Sequence, residues 1–377
     1  MSIPIYLDAA STTKVDPRVL KEMLPYFSEY YGNASSNHSF GKKAKEAVEK
    51  ARIQVADILN CESKEIIFTS GSTESINLAL KGFVESNIDR GNHIITVKTE
   101  HKAVLATCEY LETKGYEVTY LDVDENGLIS MDQLRETVKE STLLVVIMYV
   151  NNETGVIQPI KEIGILCKEN DVAFFSDATQ AVGKLEMDVD KDCIDMLCFS
   201  GHKLNGPKGI GVLYKRKEIG ITPLIHGGGQ EMGLRGGTYN TPLIVGLGKA
   251  CEISKKEMSD LIFKMNELNE YLITALDKIT KFNTVTNKYL RLPNIIHLII
   301  PHLESDVFVG SEQHISISNG SACNSELLEE SHVLKAIKPK TFNKNNSIRV
   351  SFDKFTSKDD VDVFCSFLKN HLKQKYA

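Results

Sequence analysis

The sequence predicts an α/β protein built on a mainly parallel β-sheet that is covered by helices, with a smaller α+β domain beside it. Between residues 39 and 214, short apolar strand patterns alternate with helical patterns of about 10–15 residues, which is typical of βαβ units. One apolar run, residues 143–150, has the composition of a strand buried on both faces. After residue 250 longer helical stretches are mixed with a few short strands, which indicates a second domain.

The helix predictions depend on apolar residues that recur at intervals of three and four, as Ala44, Ala47, Val48 and Ala51 do in the first long segment. On this basis helices are predicted for residues 39–60, 72–85, 102–114, 131–140, 160–170, 251–278 and 357–374. Short apolar or β-branched runs predict strands for residues 65–69, 94–97, 117–121, 143–150, 172–176, 194–200, 209–214, 294–300, 314–318 and 347–352. We expect a large domain over residues 15–250 and a small domain formed by residues 1–14 and 251–377, and we leave open whether residues 15–30 pack on the small domain.

The composition argues against several classes of protein. Of 377 residues, 42% are hydrophobic and 25% are charged, and the formal net charge is -6. These values are ordinary for a globular protein and give no reason to expect nucleic acid as a direct partner. No apolar run is long enough for a membrane helix. The cysteines occur singly and the N-terminus lacks a secretory pattern, so we expect a reducing cytoplasm, no disulfide framework and no metal site.

A lysine follows one predicted strand, in the segment Phe199-Ser200-Gly201-His202-Lys203. A lysine that forms a Schiff base must be partly desolvated, so that its amine is neutral part of the time. A Gly/Pro-rich loop after a buried strand is a suitable place for such a residue. Taken alone, however, the segment favours an ordinary solvated lysine in a polar loop.

Asp177 and Gln180 strengthen the first interpretation, because they follow the strand predicted at residues 172–176. A carboxylate at that position can pair with a protonated pyridine nitrogen and make the ring an electron sink. Gln180 can donate to a phenolic oxygen on the same ring. The alternative for Asp177 is a helix N-cap, which is a common role for Asp.

Two more strand ends carry polar residues. The segment Ser70-Gly71-Ser72-Thr73-Glu74 lies between a strand and a helix, where backbone N–H groups and the helix dipole favour a phosphate. His101 follows another strand and can stack on a flat cofactor. Each has an ordinary alternative, which is helix capping for the first and a plain loop residue for the second. Together the four signals predict a cofactor site, because ligands of open α/β sheets bind beyond the carboxyl ends of the strands.

Longer motifs narrow this prediction. They are residues 6–13, 32–36, 69–75, 100–101, 151–155, 177–180, 200–203, 227–231, 320–323 and 347–351. On these residues the chain resembles, nearly end to end, the NifS/IscS-like cysteine desulfurases, which are class V aminotransferase-like enzymes of the fold-type-I pyridoxal-phosphate group. The lysine segment is shared by the wider fold type, whereas Gly320-Ser321-Ala322-Cys323 and residues 347–351 point to desulfurases.

The resemblance implies a homodimer that uses pyridoxal 5'-phosphate and assigns a role to each matching residue. Lys203 is expected to form the Schiff base, Asp177 to pair with the pyridinium nitrogen and Gln180 with the phenolic oxygen. His101 is expected to stack on the ring and to assist proton transfer. Arg349 is expected to clamp the substrate carboxylate. The remaining expected contacts are Asn152 with both substrate and cofactor, Ser72, Thr73, Ser200 and His202 with the phosphate, and Thr238 with the phosphate of the neighbouring subunit.

The reaction implied by the resemblance converts L-cysteine to L-alanine. The Cys323 thiolate would attack the substrate sulfur, hold it as a persulfide and pass it to an acceptor protein for iron–sulfur cluster assembly or for thiolation of tRNA or a cofactor. The family places this cysteine on a mobile loop, and residues 318–346 have the polar composition expected of such a loop; whether it is ordered is left open. From the residues alone, Cys323 is also compatible with a buried structural cysteine. Arg349 is also compatible with a surface salt bridge in a strand whose buried face is formed by Ile348, Val350 and Phe352.

Two departures from the family pattern bear on these expectations. Asn324-Ser325 follow the cysteine, which we expect to affect the loop little. The chain also ends soon after its last predicted helix, so we expect it to lack the C-terminal extension with which many members dock an iron–sulfur scaffold, and the acceptor stays open. Two other functions are kept as alternatives: a selenocysteine lyase or other fold-type-I lyase, and a sulfur-relay subunit whose enzymatic site is vestigial.

Overall fold

The computed structural model describes residues 4–311, 314–319, 330–338, 343 and 345–374. Its helices are α1 (Pro17–Met23), α2 (Pro25–Ser28), α3 (Ser39–Leu59), α4 (Ser72–Ser86), α5 (Lys102–Glu112), α6 (Met131–Thr137), α7 (Ile160–Glu169), α8 (Thr241–Asp277), α9 (Ser305–Ser311), α10 (His332–Ile337) and α11 (Lys358–Gln374). Its strands are β1 (Ile5–Tyr6), β2 (Ile66–Thr69), β3 (His93–Val97), β4 (Glu117–Leu121), β5 (Thr142–Val146), β6 (Ala173–Asp177), β7 (Met196–Ser200), β8 (Gly211–Lys215), β9 (Asn283–Thr284), β10 (Ile295–Ile299), β11 (Ile315–Ser316) and β12 (Ser347–Ser351).

The largest sheet has the strand order β2-β8-β7-β6-β5-β3-β4. Its neighbouring strands run parallel, except that β8 pairs antiparallel with both β2 and β7. The prediction of a mainly parallel sheet in an α/β fold is therefore confirmed. Because β2, β3, β5, β6 and β7 all point the same way, their carboxyl ends lie along one edge.

Helices cover both faces of this sheet. In β5, Val145 joins one apolar cluster with α3, α7 and the first half of α8, whereas its neighbours Leu144 and Val146 join another with α4 and α5. All five residues of β5 are buried. The strand predicted at residues 143–150 is thus buried on both faces, as its continuous apolar run indicates, although it ends four residues earlier than predicted.

A third apolar cluster lies around the antiparallel sheet β9-β10-β12. It combines residues of β10 and β12 with the second half of α8 and with α11, and it includes Leu7, which follows β1. Residue 250, near which we expect the domain boundary, lies inside α8. The first half of this helix packs in a cluster of the large sheet and the second half in this third cluster. Val19 and Met23 of α1 belong to the cluster of the large sheet.

Two segments differ from the sequence predictions. Helix α8 begins at Thr241, ten residues before the predicted start, and Asn240 caps it through a bond from the Leu243 N–H. Within the stretch expected to be a loop, residues 318–346, the structure places α10, because Val333, Leu334 and Ile337 are buried against Val285 and Ile299. The expectation of a loop is wrong for that helix; residues 320–329, which include Cys323, lie outside the described residues.

Within the described ranges, none of the helices has both the length and the apolar character needed to cross a membrane.

Candidate active site

The carboxyl ends of the parallel strands surround one cavity of about 620 Å³. Strands β6 and β7 end at Asp177 and Ser200, and β2 and β3 lead to Ser72 and His101. The predicted site residues that line this cavity are Ser72, Thr73, His101, Asn152, Asp177, Gln180, Ser200, His202, Lys203 and Arg349. Thr238 is exposed and is not part of this lining.

Lys203 ends a short 3-10 turn after β7 and is half-buried. Its Nζ donates to the backbone oxygens of Ala10, at 2.5 Å, and Ser11, at 2.7 Å. Gln180 also donates to Ala10, from Nε2 at 2.8 Å. The lysine therefore points into the site, and the N-terminal segment fixes both side chains there.

Asp177 is buried at the end of β6. Its Oδ1 accepts a hydrogen bond from the Thr179 N–H at 3.0 Å, and Cys198 Sγ lies 3.7 Å away. The residues that follow form turns rather than a helix. The alternative of a helix N-cap is therefore wrong, and Asp177 closes an Asx-turn while its carboxylate lines the cavity.

His101 is the N-cap of α5, where its Nδ1 accepts from the Ala103 N–H at 3.1 Å. Burial lowers the pKa of this imidazole, and the positive charge of Lys203 acts in the same direction against the opposing effect of Asp177. The ring is thus neutral near pH 7. Because Nδ1 is an acceptor, the proton of the neutral ring is on Nε2.

The N-terminus of α4 is open toward the cavity. Its N-cap is Gly71, which has no side chain and therefore cannot cap the first N–H groups in the way that Ser, Thr, Asp or Asn does. Ser72 Oγ and Thr179 Oγ1 lie 2.7 Å apart. A Cβ on Gly211 of β8 would lie 2.6 Å from Cα of Gly71, so only glycine allows this close approach.

Two more residues stand beside this helix end. Ser200 Oγ donates to the Ile210 backbone oxygen at 3.3 Å. His202 Nδ1 lies 3.1 Å from Thr12 Oγ1. Burial lowers the pKa of His202 to about 4, with Lys203 and other nearby lysines adding to the shift, so the ring is neutral near pH 7.

Arg349 is buried, with 3% of its side chain exposed, and is not a surface residue. Its Nη2 donates to Asp8 Oδ1 and Ser11 Oγ, each at 2.7 Å, and its Nη1 to the Asn152 backbone oxygen at 2.9 Å. The neighbouring Ile348 and Val350 fill the core as predicted. The salt bridge expected as the alternative is present, but it lies inside the cavity wall.

Sequence reasoning assigned no role to two ionisable residues, Glu100 and Lys184, that lie behind residues of the cavity wall. Glu100 is fully buried; its Oε1 accepts from the Met148 N–H at 2.6 Å, and burial raises its pKa well above the usual value. Lys184 donates to the backbone oxygens of Gln180 and Lys203, both at 3.1 Å, and burial lowers its pKa to about 7. For Glu100, its position in sequence next to His101 could have indicated a role. For Lys184, no local sequence pattern indicated one.

The described residues fit pyridoxal 5'-phosphate. The cavity has the size of a small-ligand site. Buried Gln180 Oε1 has no partner among the described residues, and its amide nitrogen carries a second N–H besides the one given to Ala10. The α4 N-terminus suits a phosphate, Asp177 suits a pyridinium nitrogen and Lys203 suits an aldehyde carbon.

Comparisons with known proteins agree with this assignment. A family model described as class-V aminotransferase matches residues 5–364. Cysteine desulfurase IscS of Ehrlichia chaffeensis is 44% identical over 378 residues, which cover 99% of this chain and 92% of that protein. A solved NifS-like protein superposes with a TM-score of 0.92 at 38% identity, covering 98% of this chain and 100% of that one. The solved structure of SspA in complex with cysteine superposes with a TM-score of 0.84 at 40% identity, covering 93% of this chain and 99% of that one. The chain belongs to the class-V aminotransferase family and, within it, to the cysteine desulfurases.

Proposed function

We propose that this chain converts L-cysteine to L-alanine with pyridoxal 5'-phosphate and carries the sulfur away on Cys323. The observation that carries the proposal is the position of Ser11 between two cationic side chains. Its backbone oxygen accepts from Lys203 Nζ and its Oγ from Arg349 Nη2, each at 2.7 Å. An amino acid held by its carboxylate at Arg349 therefore has its α-carbon near the Lys203 amine.

The cofactor, when bound, supplies the electron sink that allows the α-proton of an amino acid to leave. Lys203 would hold it covalently, Asp177 would keep its ring nitrogen protonated, and Gln180 would bind its phenolic oxygen. The phosphate ligands that we assign are the α4 N-terminus, Ser72, Thr73, Ser200 and His202. A neutral His202 can donate one hydrogen bond to a phosphate.

Arg349 is the group that we assign to the substrate carboxylate. Its two Nη atoms are already held by Asp8, Ser11 and the Asn152 backbone, whereas its buried Nε has no partner among the described residues. The guanidinium is thus oriented before substrate arrives, which lowers the entropic cost of binding. Asn152 lines the same cavity and is positioned to contact substrate and cofactor.

The Lys203 amine is the base that we assign to the α-proton, and His101 assists proton transfer through Nε2. The Cys323 thiolate then attacks the substrate sulfur. A sulfur–sulfur bond forms while the substrate Cβ–S bond breaks and leaves its electron pair on the substrate. One proton is then taken up at Cβ and the proton held by Lys203 is returned to Cα, so that alanine is released. The assignment to Cys323 rests on the matching motif, since this residue is outside the described part of the chain.

The test records visible absorbance and alanine formation with L-cysteine for the wild type, Cys323→Ala and Lys203→Ala. A yellow wild type that forms alanine, and a yellow Cys323→Ala that does not, would support the proposal. If Cys323→Ala forms alanine as the wild type does, a selenocysteine lyase or another lyase of this fold is favoured. Selenocysteine and cysteine sulfinate would then be compared as substrates. A colourless wild type would favour the vestigial sulfur-relay subunit.

We further propose a homodimer in the cytoplasm that donates sulfur to an iron–sulfur scaffold or to a thiolating enzyme for tRNA or cofactors. Thr238 is exposed and does not line the cavity of its own subunit, which is compatible with a contact to the phosphate of a neighbouring subunit. The seven cysteines in the described ranges are all unpaired, which fits a reducing compartment. Sedimentation of the purified protein tests the dimer, and transfer of labelled sulfur to candidate acceptors tests the partner.

A further inference from the structure

Glu74 places a negative charge next to the proposed phosphate site. It lies in the first turn of α4, its side chain lines the cavity, and its Oε2 accepts from the Ser70 N–H at 2.8 Å. Only 16% of the side chain is exposed. Burial acts to raise its pKa, but the hydrogen bonds from Arg235 and Ser70 outweigh burial and lower it. Glu74 is therefore a carboxylate at neutral pH.

A carboxylate at this position has two opposing effects on a phosphate. By holding the Ser70 N–H, Glu74 shapes the turn that presents the helix N-terminus. Its charge, however, repels a dianion bound at the same helix end, in a partly buried place where charges are weakly screened. The carboxylate thus helps to shape the turn, but its negative charge weakens phosphate binding unless a cation neutralises it.

Arg235 is that cation. Its Nε donates to Glu74 Oε1 at 2.8 Å and its Nη2 to Glu74 Oε2 at 3.3 Å, across 161 positions of sequence. The loop that carries Arg235 is itself anchored, because buried Glu231 accepts two bonds from Arg52 and one from the Phe68 N–H, each at 2.8 Å. The loop therefore holds Arg235 next to Glu74, so their contact does not depend on two flexible surface side chains.

We propose that Arg235 is a positioning residue for the cofactor phosphate, which acts by neutralising Glu74. This inference rests on the proposed function, since it requires a phosphate-bearing cofactor at the α4 N-terminus. It predicts that loss of the Arg235 charge weakens ligands that carry the phosphate and spares those that lack it. It also predicts that removing the Glu74 charge restores the affinity for phosphate-bearing ligands in a variant that has lost the Arg235 charge.

The experiment titrates apoprotein with pyridoxal 5'-phosphate and, separately, with pyridoxal, and follows the absorbance change to obtain each Kd. For Arg235→Met we expect the Kd of pyridoxal 5'-phosphate to rise at least tenfold, while that of pyridoxal changes less than twofold. For the double variant Glu74→Gln/Arg235→Met we expect a Kd within threefold of the wild type, because the glutamine oxygen still accepts from Ser70. Arg216→Met is the matched control: Arg216 is 27% exposed, compared with 25% for Arg235, and pairs with Asp190 away from the cavity.

Equal weakening of both ligands in Arg235→Met, or no recovery in the double variant, would overturn the inference and leave Arg235 as a structural anchor of its loop. If Arg235→Met does not fold, Glu74→Gln alone decides: tighter binding of pyridoxal 5'-phosphate with unchanged pyridoxal supports the inference, and unchanged or weaker binding overturns it. If the wild type fails to bind pyridoxal 5'-phosphate, the proposed function itself is contradicted. If the wild type binds it and the Kd of Arg235→Met is unchanged, only this inference is contradicted.

Discussion

Arg349 Nη2 donates to Asp8 Oδ1 at 2.7 Å, and the two residues are 341 positions apart in the chain. Asp8 lies two residues after β1, and its backbone bridges to Ser351 at the end of β12. Arg349 is on β12 itself. The carboxylate therefore neutralises a guanidinium that is 3% exposed, and it fixes the side chain that we assign to substrate binding.

Arg349→Lys is expected to raise the KM for L-cysteine about 10- to 100-fold, because a lysine amine cannot keep the planar set of contacts with Asp8, Ser11 and Asn152. Alanine formed over a range of cysteine concentrations measures KM and kcat. The control is Arg90→Lys, whose side chain is exposed and pairs with Asp171 far from the cavity. An unchanged KM in Arg349→Lys would exclude this arginine as the carboxylate clamp.

Gly211→Ala is expected to disturb the α4 N-terminus, since the added Cβ would lie 2.6 Å from backbone atoms of Gly71. We expect a loss of about 1–3 kcal/mol in the free energy of unfolding, as for other overpacked sites, and weaker binding of pyridoxal 5'-phosphate. Urea unfolding and cofactor titration measure the two effects. Gly220→Ala is the control, because its nearest neighbour would be Ser86 Cβ at 3.9 Å. Wild-type affinity in Gly211→Ala would show that the close approach is not needed.

The meeting of Asp177, His101 and Lys203 at one cavity could be predicted from the sequence because it depends on local patterns. Asp177 ends a strand, and His101 and Lys203 follow strands, whose apolar runs are visible in the sequence. Parallel strands end along one edge of a sheet, so the residues at their ends meet without further information. The contacts of Arg349 are different. No local pattern indicates that Asp8 and Ser11 reach Arg349, because that contact depends on pairing between the two ends of the chain.

The start of α8 shows a second reason for a missed feature. Gly246 and Gly248 weaken the helical signal, since glycine is a poor helix former. In the folded chain Gly248 is required by packing, because a Cβ there would lie 2.6 Å from Ala51 Cα. A Cβ on Gly246 would lie 2.5 Å from Met23 Sδ, so the Met23 side chain would have to shift. The tertiary contact with α1 and α3 thus overrides the local preference, and a single sequence does not reveal it.

Glu231→Gln is expected to lower the free energy of unfolding by about 3–5 kcal/mol, because it removes the buried counterion of the Arg52 guanidinium. The carboxylate that still pairs with Arg52 is that of Glu49, which is half-exposed and 3.5 Å away. The same carboxylate accepts from the Phe68 N–H on the edge strand β2, so its loss also weakens that contact. Urea unfolding gives the change. Asp132→Asn is the control, and it should change stability by less than about 0.5 kcal/mol because its pair with Arg135 is exposed. A cost below about 1 kcal/mol for Glu231→Gln would contradict the expectation.

His297 is expected to make the stability of the fold depend on pH below neutrality. It is 1% exposed on β10, its Nδ1 lies 3.2 Å from the Glu153 backbone oxygen, and burial lowers its pKa to about 4. An unfolded histidine titrates near 6.5, so between these values the unfolded chain binds more protons and stability falls as pH falls. From pH 7 to pH 5 this single group should remove about 2 kcal/mol.

The measurement compares His297→Asn with the wild type by urea unfolding at several pH values, because other groups titrate in the same range. Glu153 acts in the opposite direction: burial raises its pKa to about 7, so the folded chain binds its proton and gains stability as pH falls toward 4.5. The difference between variant and wild type removes this contribution. His297→Asn is expected to be less stable at pH 7 but to lose about 2 kcal/mol less than the wild type on going to pH 5. Substitution of the exposed His226 by Asn is the control for the exchange of a histidine at the surface. Parallel pH profiles for His297→Asn and the wild type would mean that His297 is protonated in the folded chain as readily as in the unfolded one.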